Sequence, residues 1–403
     1  MASRRNVETK IEIEEKFKSL NETYKVCAFS LAIAFIFPNK TTLRKRLLMI
    51  LFLIAINFLE LYWFLWYLFM CIIRMDIFNF TRNMTVGIII MLYLFKEFYV
   101  IYMNDEFEHL LQDIDDDLLR RYDFPDDIQD IYNEFIKNAK ISQACWTVIP
   151  LLLGTQFTIY SAVCMIYEYM NTDLWTRYMV HEMELHPIQH LQYKSPYFEL
   201  IFAYNCVQSL LLATNFCGFD GSFCIATTHM CLKLKIVGHS IQKCFKYETN
   251  RHELRNKIKY LIGEHQKALE FYKNIQVVYS GWLFMVFLLT SLLISFNVFQ
   301  IYYTQRIDPK NTIFALSAVM HMFLPCYHAS SLIQANDDFC TDLYDAQWET
   351  TGDPVVTRYL MFMIARSQRR LILTGKGIVV FNMQLFLSIL QTSYSFFTLI
   401  TRK

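Results

Sequence analysis

Seven stretches of this chain are each long and apolar enough to cross a lipid bilayer: Leu47–Ile73, Met84–Met103, Ile141–Tyr167, Leu200–Thr228, Val277–Tyr303, Ile313–Ile333 and Ile378–Ile400. About 20 helical residues cover the roughly 30 Å of hydrocarbon. Inside it every backbone N–H and C=O needs a partner, so only helices or a closed barrel can span. No alternating ten-residue barrel pattern is present. The expected fold is all-α, a seven-transmembrane helical membrane protein. The short run Val26–Phe37 cannot span; it is expected to lie at the interface, re-enter it, or form a buried helix. That run also lies too far into the chain for a cleavable signal peptide.

An odd number of spans puts the termini on opposite sides, and basic residues say which. Segments 1–46, 104–140, 229–276 and 334–377 hold ten, four, ten and five Lys and Arg, against two in each of 74–83, 168–199, 304–312 and 401–403. Basic loops stay in the cytoplasm, so the N-terminus is expected inside and the C-terminus outside, an inverted topology compared with a G-protein-coupled receptor. The acidic run "DIDDDLLRRYDFPDD" barely enters that rule. Sequons at Asn21 and Asn39 fall inside on this topology, and those at Asn79 and Asn83 outside, close to the membrane. All eleven Cys fall in spans or cytoplasmic segments, which leaves no material for an extracellular disulfide.

Composition excludes more than it selects. With 19% charged residues, a formal net charge of +1 and no Lys/Arg-rich tract, nothing points to nucleic acid. No P-loop, dinucleotide fingerprint or nucleophile elbow occurs, so neither an enzyme nor a cofactor is expected. "HEMELHPIQH" offers His181 and His186, but they are five apart where a zinc helix needs four, and Pro187 interrupts; no metal site is expected. His321 and His328, either side of Pro325, are read as helix-to-helix hydrogen-bonding groups or ligand contacts. Lys96 and Glu97 sit in the second span, where charge must snorkel or pair. Asp220, in "NFCGFDGSFC", lines an aqueous cavity or marks a helix continuing into the cytoplasm; the unbroken pattern of "HMCLKLKIVGHSIQKCFKY" favours the second. In "NRHELRNKIKYLIGEHQKALEFYKNI", Ile258, Leu261, Ile262, His265 and Leu269 make an amphipathic face suited to packing beneath the membrane.

The last run carries a pattern of its own. Gln384, Ser388, Gln391, Ser395 and Thr398 follow at steps of four, three, four and three, one stripe of a helix. Such a stripe lines water or packs against a neighbouring helix.

"HMFLPCYHASSLIQANDDFCTDLYDAQW" and "LILTGKGIVVFNMQLFLSILQTSYSFFTLI" resemble the insect odorant-receptor family. The likeness lies around Cys326, in Tyr344 and Trp348, in Leu373, Thr374 and Gly377, and in Ser393-Tyr394-Ser395. The inverted plan and "EHQKALEFYKNI" before the fifth span are similar too. The family's shared coreceptor has a long insertion before its fifth span and a TYF-type end; this chain has neither, so it looks like an odorant-tuned subunit. The resemblance implies an odorant-gated cation channel, a tetramer containing the coreceptor in the plasma membrane of a sensory dendrite, with small hydrophobic volatiles and lipid as its other partners. It implies pore-lining roles for Gln384, Ser388, Gln391, Ser395, Phe397 and Thr398. It also implies an odorant pocket in the outer half of the bundle, at Ile90, Tyr93, Leu94, Phe157, Thr158, Tyr204, Gln208, Ser317 and His321, mostly apolar and poor in donors. The expected layout is an N-terminal cytoplasmic segment 1–46, spans 47–228, cytoplasmic anchor helices 229–276, spans 277–333, a second anchor segment 334–377, and a pore helix with a short outer tail, 378–403. Rival readings are a gustatory-type channel, a G-protein-coupled receptor and a transporter. The Ser393-Tyr394-Ser395 ending, the charge distribution and the lack of an internal repeat count against them in turn.

Overall fold

The computed structural model describes residues 17–37, 43–248, 250–304 and 309–401. Two short helices, α1 (Lys18–Thr23) and α2 (Lys25–Ile33), precede the first span, α3 (Leu43–Ile73). Then come α4 (Ile77–Tyr102), α5 (Asn104–Arg120), α6 (Asp126–Thr172), α7 (Tyr197–Tyr247), α8 (Arg251–Thr304), α9 (Pro309–Tyr344), α10 (Pro354–Ser367) and α11 (Met383–Thr401). Six of these, α3, α4 and α6–α9, are long and apolar enough to cross a membrane, and α11 makes the seventh apolar helix. Sequon Asn39 lies outside the described residues.

Three helices are much longer than a bilayer is thick. α6, α7 and α8 have 47, 51 and 54 residues, which at 1.5 Å per residue is roughly 70–80 Å against about 30 Å of hydrocarbon. The charges of "NRHELRNKIKYL" therefore sit on the same rod as the apolar fifth run. α7 likewise passes through Asp220 without a break as far as Tyr247. On the lipid side α3 leaves Leu48, Leu51, Phe52, Phe58, Leu65, Phe69 and Ile72 exposed.

α2 buries one face in the bundle: Leu31 packs where Gly218 leaves no Cβ, and the Cys27 thiol lies 3.4 Å from the Gly218 carbonyl. Protein thus covers the face at Cys27 and Leu31, while Val26 and Phe29 stay exposed. Asn79 and Asn83 are on α4. Asp76 caps that helix and accepts from the Asn79 amide at 2.6 Å, and Asn83 is buried, bonded to the Asn79 carbonyl at 2.9 Å.

At the other end, carboxylates of one helix hold basic side chains of another. Asp117 of α5 takes His229 at 2.9 Å and Lys233; Asp127 of α6 takes His239 and Lys243, each at 2.8 Å. Asp353 caps α10 and receives both prongs of Arg255 at 2.7 and 3.0 Å. Lys243 and His239 hold the Asp127 carboxyl down at about 2.

His265 behaves differently. It is buried against Phe339, its ring centroid 4.9 Å away, with Nε2 unbonded among the described residues. Burial, and then the nearby Arg366, lower its pKa to about 4. A histidine depressed in the folded state destabilises the fold once pH drops below its ordinary value near 6.5, because the unfolded chain takes the proton first. The detergent-solubilised protein is therefore expected to lose on the order of 2–3 kcal/mol between pH 6.5 and 4. His265→Leu should flatten that slope, measured as the midpoint of thermal unfolding against pH.

A small hairpin sets the last helix in place. Thr374–Gly375 pairs with Val379–Val380, and Gly377 takes the positive φ of 71° its turn requires. Gln276 of α8 bonds the Thr374 backbone in both directions, at 2.8 and 2.9 Å, and Asn382 caps α11. α11 then packs on α8 and α9 through Ile389, Ser393 and Phe386.

Candidate functional site

Two places draw together residues picked out from sequence: a small cavity in the outer half of the bundle and the free face of α11.

The cavity lies between α3, α4, α6 and α7, with a volume of about 40 Å³. Ile90, Phe157 and Gln208 line it, together with Asn57, Glu60, Leu153, His181 and Asn205. Thus three of the nine expected pocket residues meet there. Tyr204 adjoins through Gln208, whose amide is 3.1 Å from its hydroxyl. Tyr93, Leu94, Thr158 and Ser317 are buried but not on the cavity wall, and His321 lies deeper still. The wall is also more polar than the sequence suggested: Asn57, Glu60, His181, Asn205, Gln208 and Ser209 all belong to it. Gln208 reaches Asn57 at 3.1 Å and Glu60 at 3.4 Å.

Glu60 was legible as the one charge in the first apolar run. His181 was not, because it comes from the connection between α6 and α7, which folds down onto the bundle. There His181 lies 3.8 Å from Glu60 and between Phe64 and Phe157, each ring about 5.4 Å away. His186 stacks on Trp66 at 4.2 Å and bonds Tyr62 at 2.9 Å. Arg74–Glu184 and Arg82–Glu182 fasten the same connection to the turn after α3 and to α4. His181 and His186 thus have separate partners, and no group of three metal-ligating side chains occurs among the described residues.

Below the cavity is a charged core. Lys96 of α4 bonds Asp220 of α7 at 2.7 Å with both side chains fully buried, and lies over the Phe216 ring at 3.2 Å. His321 of α9 reaches Asp220 at 3.3 Å with one ring nitrogen and Thr290 of α8 at 3.2 Å with the other. Beside them Glu97 accepts from Asn215 at 2.7 Å. Lys96 is paired rather than snorkelled, Glu97 is held by the Asn215 amide, and four spans meet at one point. Tyr93 faces both Glu97 and Asn57 and so stands between this core and the cavity. His328, by contrast, is buried beside Tyr327 with Nε2 unbonded among the described residues.

On α11, Gln384, Ser388, Gln391 and Ser395 are exposed along one stripe opposite Ile389 and Ser393, with Thr398 partly exposed at its outer end. Leu387 and Tyr394 flank the stripe. Ser388, Ser395 and Thr398 satisfy their hydroxyls on carbonyls of their own helix. Gln384 and Gln391 present primary amides, and such a group set in hydrocarbon costs about 4–8 kcal/mol. The side chain of Phe397 lies outside the described residues.

The family model described as 7tm Odorant receptor matches residues 76–394, from the cap of α4 almost to the end of α11. The chain belongs to that family. Among curated relatives, odorant receptor 67c of Drosophila melanogaster is 24% identical over 44% of this chain and 44% of its own. Odorant receptor 10 of Aedes albopictus is 24% identical over 52% of this chain and 57% of its own. The chain thus spans about half the length of these curated relatives. Olfactory receptor OR5 of Machilis hrabei, solved with eugenol, superimposes with a TM-score of 0.77 at 16% identity, over 96% of this chain and 99% of that one. At that identity the likeness is one of fold, a seven-span helical membrane protein.

Proposed function

We propose that this chain is the odorant-specific subunit of an odorant-gated, non-selective cation channel, assembled with the family's coreceptor in the plasma membrane of an olfactory dendrite. The observation that carries the reading is the exposed polar stripe of α11. Several copies of one helix, each turning such a stripe toward a common axis, enclose a water path that lipid never meets. The inner ends of α7–α10 supply the cytoplasmic anchor, and the outer cavity supplies the odorant site. OR5 was solved with eugenol bound, which supports a small volatile as the ligand class.

Gating is then a population shift. An odorant opens the pore only by binding the open arrangement better than the closed one. With about 40 Å³ free, the cavity as described is too small for such a ligand, so binding requires α3, α6 and the His181 connection to move. Co-expression with the coreceptor is expected to give odorant-evoked whole-cell currents that this chain does not give alone. Evoked currents identical to those of the coreceptor by itself would contradict the reading.

A further inference from the structure

We infer that the Glu60 carboxylate is the polar anchor of the outer cavity and selects odorants that carry a basic amine. The inference rests on the odorant-site reading above and names the ligand class.

The cavity's hydrogen-bond arithmetic favours a donor. Gln208 has two amide hydrogens on Nε2, and three acceptors compete for them: Asn57 Oδ1 at 3.1 Å, the Tyr204 hydroxyl at 3.1 Å and Glu60 Oε2 at 3.4 Å. Two neighbouring groups donate instead to carbonyls of α3. Asn57 Nδ2 goes to Leu53 at 2.7 Å and the Tyr204 hydroxyl to Ile56 at 2.9 Å. Among the described residues, Glu60, 5% exposed, has one long hydrogen bond, from Gln208, and the His181 ring at 3.8 Å. An ionised carboxylate accepts about four, and a buried one held by so little is costly.

A protonated primary amine answers both deficits at once. It brings up to three N–H donors and a positive charge, where an alcohol brings one donor and no charge. The wall suits it too: Phe157 puts an aromatic ring on the same wall as the carboxylate, a group that attracts a cation, and Ile90 and Leu153 take the alkyl body. His181 adds a contact from the outer connection, so a ligand engaging Glu60 also engages the element that covers the site.

The test compares n-hexylamine, 1-hexanol and 1-heptene at fixed pH on cells expressing the chain with its coreceptor, with the coreceptor alone as background. The amine should act at concentrations at least tenfold lower than the alcohol. Glu60→Gln keeps the shape but removes the charge, and should abolish that gap by raising the effective concentration of the amine at least tenfold relative to that of the alcohol. A role for Glu60 in folding alone would weaken all three ligands together and would overturn the inference. If Glu60→Gln does not reach the surface, the wild-type ranking decides. A channel opened by the alcohol as readily as by the amine, or not opened by the amine, refutes the carboxylate anchor and leaves the channel reading standing. A surface-expressed pair silent to all three and to a broad odorant panel refutes both.

Discussion

Asp220→Asn is expected to remove most of the protein from the cell surface. Asp220 is fully buried and is the common partner of Lys96 at 2.7 Å and His321 at 3.3 Å. Neutralising it leaves the Lys96 ammonium buried over the Phe216 face without its counter-charge at 2.7 Å. Breaking one side of a buried pair costs about 3–5 kcal/mol, while replacing both sides with apolar groups of similar size is often neutral or better. Against a typical total of about 5–15 kcal/mol, the single change is close to fatal. Lys96→Met should do comparable harm, and Lys96→Met with Asp220→Leu should recover much of the loss. Surface biotinylation and thermal midpoints in detergent measure all three. Equal damage from the double and single variants would mean that the charges themselves are needed, for gating or for tying α4, α7 and α9 together.

The second large effect is on conduction. Gln391→Leu combined with Ser395→Leu is expected to cut the odorant-evoked current at least tenfold at unchanged surface abundance, because both side chains are exposed on α11 away from its packing face. Ile389→Ala, on the buried face, should instead lower stability by about 2–4 kcal/mol and reduce current only in proportion to protein lost.

The fold was largely legible because lipid makes a harsh demand. A run such as Leu47–Ile73 has few alternatives to a helix, and the stripe from Gln384 to Thr398 needs only the helical period. Helix lengths were partly legible: the pattern after Thr228 already favoured α7 running on past Asp220, whereas the polar residues before Val277 hide the fact that α8 is one rod from Arg251 to Thr304. The outer cavity was least legible, since its wall is assembled from positions up to about 150 residues apart, as in Gln208 with Asn57. Residues chosen by depth alone, Leu94, Thr158 and Ser317, are buried away from the cavity wall, and the hydroxyls of Thr158 and Ser317 turn back to carbonyls of their own helices. His321 went to the charged core because Asp220 sits opposite it. Glu60 could have been found by asking what a lone carboxylate in an apolar run is for. His181 could not, because nothing in "HEMELHPIQH" says that the connection folds inward.

The claim on which the functional account depends is that the free face of α11 meets water in the assembled channel. Single cysteines placed along α11 and exposed to a charged, membrane-impermeant thiol reagent during odorant application test it directly. Blocked current at positions 384, 388, 391 and 395 with none at 386, 389 and 393 is the expected pattern. Protection of the first set, or equal modification of both, would contradict it.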